Sequence, residues 1–302
     1  MTTSSATHHH TRPLDALATS IVVLLCLSWG FNQVAVKLAL HDIPPLMQSA
    51  LRSFVAALIV AAVAKARGQT LLARDGTLWP GIAAGVLFGA EFILIYQGLV
   101  YTTATRGVLF IYLAPFFVVL GARVVLPADR FHLPQWAGLA LSFAGMLVAF
   151  GVPTPALDPR QIFGDLMMVG AALLWAVTTL LIKASALIRA SSERVLLYQL
   201  VVSGPMLALA SWLAGEQVPH AVSPLALGAL AYQTLWVVVV TYVLWFALVV
   251  RYSANRLSAF TFLSPLFGVA AGHLVLGEPL TPAFAAAVGL VAGGLILVNR
   301  AK

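Results

Sequence analysis

Glu91 lies in the run GVLFGAEFILIYQGL, which holds no other charged residue. A carboxylate at that depth in lipid costs at least ~2–3 kcal/mol on insertion scales, so it must face the interior of a bundle. Three roles fit it: carrier of a proton, acceptor for a substrate ammonium, or structural partner of a cation or backbone group. Asn32 and Gln33 lie in one apolar segment, and Thr178 and Thr179 in another. Amides and hydroxyls can hydrogen-bond the carboxylate and the ammonium of an amino acid without a fixed charge, and they also join membrane helices to one another. Tyr96, Tyr112, Trp175, Trp236 and Tyr242 could line an apolar pocket with a few polar tips, as could Trp245; that is the usual make-up of a small-molecule site. Trp79, Tyr101 and Trp212, near segment ends, fit an interfacial belt better. No nucleophile and base pair up at helical spacing. The single cysteine, Cys26, has no histidine near it, which argues against an enzyme and excludes an internal disulfide. No metal cluster or cofactor motif is visible; His8, His9 and His10 read as part of a polar tail.

Lipid is the solvent that the composition implies. Of 302 residues, 61% are hydrophobic and 9% charged, with a mean hydropathy of +0.97; a soluble domain is about a quarter charged. Apolar segments near the ~20 residues a bilayer requires fall at 16–38, 44–65, 77–99, 104–126, 133–151, 162–184, 194–214, 223–248, 256–277 and 282–299. The expectation is an all-α membrane protein of ten spans. A disordered tail is expected over 1–15, a five-helix unit over 16–151, a linker over 152–161 and a second five-helix unit over 162–302. The net charge of +7 comes from cations in short loops, which reads as membrane topology rather than nucleic-acid binding. With the N-terminus in the cytoplasm, the inner loops and tails collect Arg12, Lys65, Arg67, Arg74, Arg130, Arg189, Arg194, Arg251, Arg300 and Lys302, against Arg160 outside. Both termini are therefore expected inside. Lys37, Arg52, Arg106, Arg123, Lys183 and Arg256 are read as lying near helix ends.

The two units repeat each other. Ala104, Arg106, Leu113, Pro115 and Phe117 recur as Ala254, Arg256, Leu263, Pro265 and Phe267, an offset of 150 residues. Trp29-Gly-Phe-Asn-Gln-Val-Ala-Val-Lys37 matches Trp175-Ala-Val-Thr-Thr-Leu-Leu-Ile-Lys183. A proline inside a span frees a backbone carbonyl, which is tolerated where neighbouring helices or a wet cavity satisfy it. Broken helices at matching positions of two halves point to a transporter with its site between them. Five spans per half is an odd number, so the second half enters the membrane upside down. Such inverted-topology repeats make alternating access natural. Lys37 and Lys183 close equivalent segments at opposite faces; they either snorkel to headgroups or gate the two mouths. The same alternatives hold for Arg106 and Arg256.

The doubled unit, the Trp29–Lys37 and Trp175–Lys183 segments, the Pro115 and Pro265 helices and Leu276-Gly277-Glu278 together resemble the drug/metabolite transporter superfamily, in its EamA-type ten-helix form. The first half departs from the pattern with Leu126-Pro127-Ala128-Asp129 where the second has Leu276-Gly277-Glu278. The resemblance implies a secondary transporter of the bacterial plasma membrane that exports amino acids, aromatic or otherwise neutral, or related metabolites. It implies a monomer whose partners are a small-molecule substrate and the bilayer, with no nucleic acid and no cofactor. An exporter of cationic drugs or polyamines in the same fold is the main alternative, with Glu91 holding the cation among aromatic rings. A nucleotide-sugar carrier is a lesser one, for want of mid-helix cations. No Gly-x-x-x-x-Gly-Lys-Ser/Thr loop is present, so flux must be uniport, exchange or coupled to an ion gradient.

Overall fold

In lipid a helix is stable because every backbone group is paired within it, and the chain uses local chemistry to begin and end each one. A computed structural model describes residues 14–71, 74–126, 131–151, 158–277 and 280–300. Most of the tail at 1–15 and of the linker at 152–161 lie outside these, as do Pro127–Arg130 and Glu278. Asp15, Thr103, Asp158, Ser191, Ser223 and Ser253 cap helix N-termini with side-chain oxygens. Pro45, Pro159 and Pro224 occupy first-turn positions whose N–H would be orphaned anyway. Gly277 ends a helix at φ 70°, a backbone conformation glycine adopts without strain.

Ten helices are long and apolar enough to cross a membrane, and no strand occurs among the described residues. They are α1 (Ala16–Leu40), α2 (Pro45–Ala66), α3 (Leu78–Tyr101), α4 (Ala104–Ile111 and Ala114–Val125), α5 (Leu133–Phe150), α6 (Pro159–Ala184), α7 (Ser192–Leu213), α8 (Pro224–Arg251), α9 (Ala254–Phe260 and Leu263–Leu276) and α10 (Pro282–Arg300). The expected spans agree to within a few residues.

Packing runs mainly between the halves. α5 lies against α10, α3 against α6 and α7, α2 against α7, α1 against α9, and α4 against α6. Exchanging the halves carries α1·α9 into α6·α4 and leaves α2·α7 and α5·α10 unchanged. That is the signature of a pseudo-two-fold axis in the membrane plane.

Glycines set several of these distances. A Cβ on Gly30 of α1 would sit 2.6 Å from Phe267 Cβ of α9. A Cβ on Gly138 of α5 would sit 2.5 Å from the Gly294 carbonyl oxygen of α10, against backbone that cannot yield. Association in lipid depends on such close approach, because lipid supplies no hydrophobic drive between helices.

Gly138→Val should lower stability by ~1–3 kcal/mol, the usual cost of overpacking, read as a reduced melting temperature in detergent. Gly289→Ala on α10 faces open space and should melt like the wild type.

Candidate functional site

Three of the ten spans are irregular at mid-depth. α4 breaks at Tyr112–Leu113 and α9 at Thr261–Phe262, in each case just before the proline that the repeat places there. Pro115 and Pro265 are both buried, facing protein rather than acyl chains. α8 winds as a π-helix over Tyr232–Thr241, with i→i+5 bonding that ends in the Tyr242 N–H donating to the Val237 carbonyl. Such stretches are rare and concentrate at functional sites.

Two of the irregular spans, α4 and α8, line a cavity of about 470 Å³ together with α1, α2, α3, α6 and α7. Repeat-related residues line it in pairs: Trp29 and Trp175, Asn32 and Thr178, Gln33 and Thr179. Glu91, Tyr96, Tyr112 and Tyr242 complete the expected set that lines it. Glu91 is 8% exposed, and its carboxyl has no hydrogen-bond or ion-pair partner among the described residues. Tyr96 shares a 2.8 Å hydrogen bond with Ser49. The Thr178 and Thr179 hydroxyls donate to the Leu174 and Trp175 carbonyls of their own helix. Their protons are thus committed, and toward a ligand they act as acceptors. The Asn32 Oδ1 atom is buried without a partner. The Trp175 ring meets Tyr112 edge-on at 6.1 Å, and Trp29 meets Tyr242 edge-on at 6.3 Å.

One expected lining position falls elsewhere. Trp236 does not line the cavity: its indole N–H donates to Ser28 Oγ at 2.9 Å, and the residue stays 39% exposed. Lys37, read as snorkelling or gating at a mouth, is exposed and does not line the cavity.

Several lining residues were not singled out from the sequence. Arg52, read there as a helix-end cation, is the eighth residue of α2 and 3% exposed. Gln199, the eighth residue of α7, is its repeat mate and fully buried. Both line the cavity, as does Phe246; Trp245, expected from the sequence as a pocket aromatic, lines it too. Equal position in two helices of 22 residues is the signal that would have paired them.

The two ends differ. At one end the lining includes Leu40 and Val100, 42% and 71% exposed; at the other it includes Ile182 and Val249, at most 1% exposed. Beneath the closed end Lys183 is buried, and its Nζ donates to the Val249 and Tyr252 carbonyls at 2.8 and 2.6 Å. Lys183 therefore does not snorkel; it ties the end of α6 to the last turn of α8. Arg106 at the open end is also engaged, with Nη2 2.5 Å from Asp165 Oδ2 on α6. Its repeat mate Arg256 donates instead to the Asn299 carbonyl at 2.8 Å on α10.

The description "EamA-like transporter family" matches twice along the sequence, over residues 17–151 and 162–300. The chain belongs to the EamA-like transporter family. It is 24% identical over 289 residues to the uncharacterized transporter YoaV of Bacillus subtilis, covering 91% of this chain and 92% of that one. It is 26% identical over 289 residues to a protein of Salmonella typhimurium named as a probable amino-acid metabolite efflux pump, covering 92% and 93%. A solved structure shares the fold with a TM-score of 0.81 at 20% identity, covering 94% of this chain and 98% of that one. This EamA-like chain is thus a multi-pass membrane transporter of small molecules, and not an enzyme.

In this EamA-like protein, carboxylates tie together the rim of the open mouth. Glu216 accepts from the Leu46 and Met47 N–H groups at 3.0 and 2.8 Å, an anion placed on the N-terminus of α2. Asp42 in the α1–α2 turn accepts from the Ser223 hydroxyl and N–H at the start of α8. The Ser223 hydroxyl, then His41, hold the Asp42 carboxyl down at about 2. A carboxyl lowered on folding stabilises above its unfolded pKa, and that contribution is lost as pH falls toward the folded value. The Asp42 tie should therefore be fully present above pH ~4 and fade between pH ~4 and ~2. Melting curves across that window should fall less steeply for Asp42→Asn than for wild type.

Proposed function

We propose that this transporter exports amino acids, aromatic or otherwise neutral, across the bacterial plasma membrane by alternating access, with both termini in the cytoplasm. The observation that carries the reading is the mid-depth cavity. It is walled by aromatic rings, holds a buried carboxyl without a hydrogen-bond or ion-pair partner among the described residues, and has lining residues exposed at one end and buried at the other. A substrate ammonium satisfies Glu91, with Thr178, Thr179 and Asn32 supplying further acceptors. Aromatic walls take up an apolar side chain. The name of the Salmonella relative, with its reference to amino-acid metabolites, points the same way. With both termini in the cytoplasm, as the cation distribution supports, the closed end under Lys183 is cytoplasmic and this conformation faces outward.

Alternation follows from the duplication. The two five-helix units, 16–151 and 162–302, repack so that the clamp at Lys183 opens and the Lys37 side closes, pivoting where Pro115 and Pro265 interrupt α4 and α9. A single protomer holds the whole cavity, consistent with a monomer. Glu91 can also carry a proton against the substrate and so couple export to the proton gradient.

Counterflow of labelled amino acids into proteoliposomes tests the substrate. Phenylalanine, tryptophan or another neutral amino acid should exchange, and quaternary ammonium compounds should not compete. Glu91→Gln should lose the pH dependence of flux; unchanged pH-dependent flux would remove the coupling role. Lys183→Met should free the cytoplasmic end. A thiol introduced by Phe246→Cys should then react several-fold faster with a membrane-impermeant reagent from that side. The native Cys26 is buried and adds little background.

A further inference from the structure

Arg52 is left unused by this reading. Its guanidinium carbon stands 4.6 Å from the centroid of the Phe92 ring, and Phe92 is the residue after Glu91. Buried cation and buried carboxyl thus line one cavity. No hydrogen bond or ion pair links Arg52 to Glu91 or to any other described residue. The Tyr242 hydroxyl lies within electrostatic reach of both. Other buried or half-buried cations find oxygen: Lys183 on two carbonyls, Arg106 on Asp165, Arg194 on Asp75. Arg52 has a ring under its face and keeps its N–H donors for whatever enters.

We propose that Arg52 anchors a substrate carboxylate, so that the cavity selects small molecules bearing an anionic and a cationic group together. The inference rests on the amino-acid reading above and deepens it. A guanidinium lying on an aromatic face is held in orientation while its edge stays open for a bidentate carboxylate. A simple organic cation would neutralise Glu91 but face Arg52 as a like charge in a low-dielectric space. A simple anion would meet Glu91 in the same way. A zwitterion satisfies both, and the occupied cavity remains neutral. The repeat mate Gln199 is uncharged, so the carboxylate has one anchor rather than two and the substrate one orientation.

Three ligands sharing one ring separate the charges: phenylalanine, 3-phenylpropionate, which lacks the ammonium, and phenethylamine, which lacks the carboxylate. Affinities are measured by isothermal titration on the purified full chain. Phenylalanine should bind the wild type best, with phenethylamine weaker by roughly tenfold or more, because a site built for hydrogen bonding rejects analogues lacking the group. Arg52→Gln should weaken phenylalanine and 3-phenylpropionate by a similar factor and leave phenethylamine unchanged or tighter. Arg52→Lys should fall between, keeping the charge but losing the fork. Phenethylamine matching phenylalanine on the wild type overturns the proposal without any variant. So does an Arg52→Gln protein that keeps full affinity for phenylalanine, or failure of both carboxylates to bind. Arg52-dependent binding of 3-phenylpropionate with no binding of phenylalanine would instead uphold the anchor and sink the amino-acid reading.

Discussion

Lipid offers no hydrogen bonds, and that one constraint organises the molecule. Each backbone break inside the bilayer must be answered by protein or by a wet cavity. Of the three irregular spans, α4 and α8 border the hollow, and α9 is broken where Pro265 and its neighbours are buried in protein. Pro115 and Pro265 each remove a donor from the helical ladder; both are buried, and the neighbouring turns tighten, as in the Ser264 N–H donating to Thr261. Breaks in α4 and α8 are thus answered at the cavity and that in α9 by surrounding protein, the two ways a bilayer tolerates irregular backbone.

The same constraint sorts the charges. A fixed charge withdrawn from water needs a counter-charge or several dipoles. Arg194 has Asp75 with Thr77, Arg106 has Asp165, and Lys183 has two carbonyls at the end of α8. These contacts link different helices at the ends of the bundle, where a change of state must break them. Glu91 and Arg52 line the cavity, both buried, without a hydrogen-bond or ion-pair partner among the described residues. Groups that expensive and that incomplete mark where a ligand belongs.

Much of this was legible in the sequence because it depends on period and repetition. Runs of apolar residues fixed the ten spans, the offset of 150 residues located both kinks, and the Trp29 and Trp175 segments placed six lining residues in register. What stayed hidden depends on azimuth around each helix. Arg52 has a long side chain that could equally have reached a headgroup, and only the packing of α2 against α7 and α8 turns it inward. Trp236 lies within the π-helical stretch, where the wider turn shifts every side chain relative to an α-helical count; the indole then faces Ser28 while Val237, the next residue, lines the cavity. No residue type in YQTLWVVVVT announces that winding.

Duplication with exact symmetry would make the two end states equal in energy, and the substitutions between the halves are what distinguish them. Lys183 holds the end of α8 while Lys37 at the matching position is exposed. Arg106 pairs with an aspartate on α6, while Arg256 binds a backbone carbonyl on α10. Arg52 faces Gln199. On the proposed alternation, the first two differences lie at the mouths and would bias which end is sealed when the cavity is empty. The third acts at the centre and does not favour either mouth; it gives the pocket a polarity. Packing common to both halves, such as α5 on α10, can stay fixed through the change, because the pseudo-two-fold carries it into itself. Energy differences between states therefore concentrate in a few polar contacts at the ends, and a ligand that alters the charge between Glu91 and Arg52 is well placed to tip them.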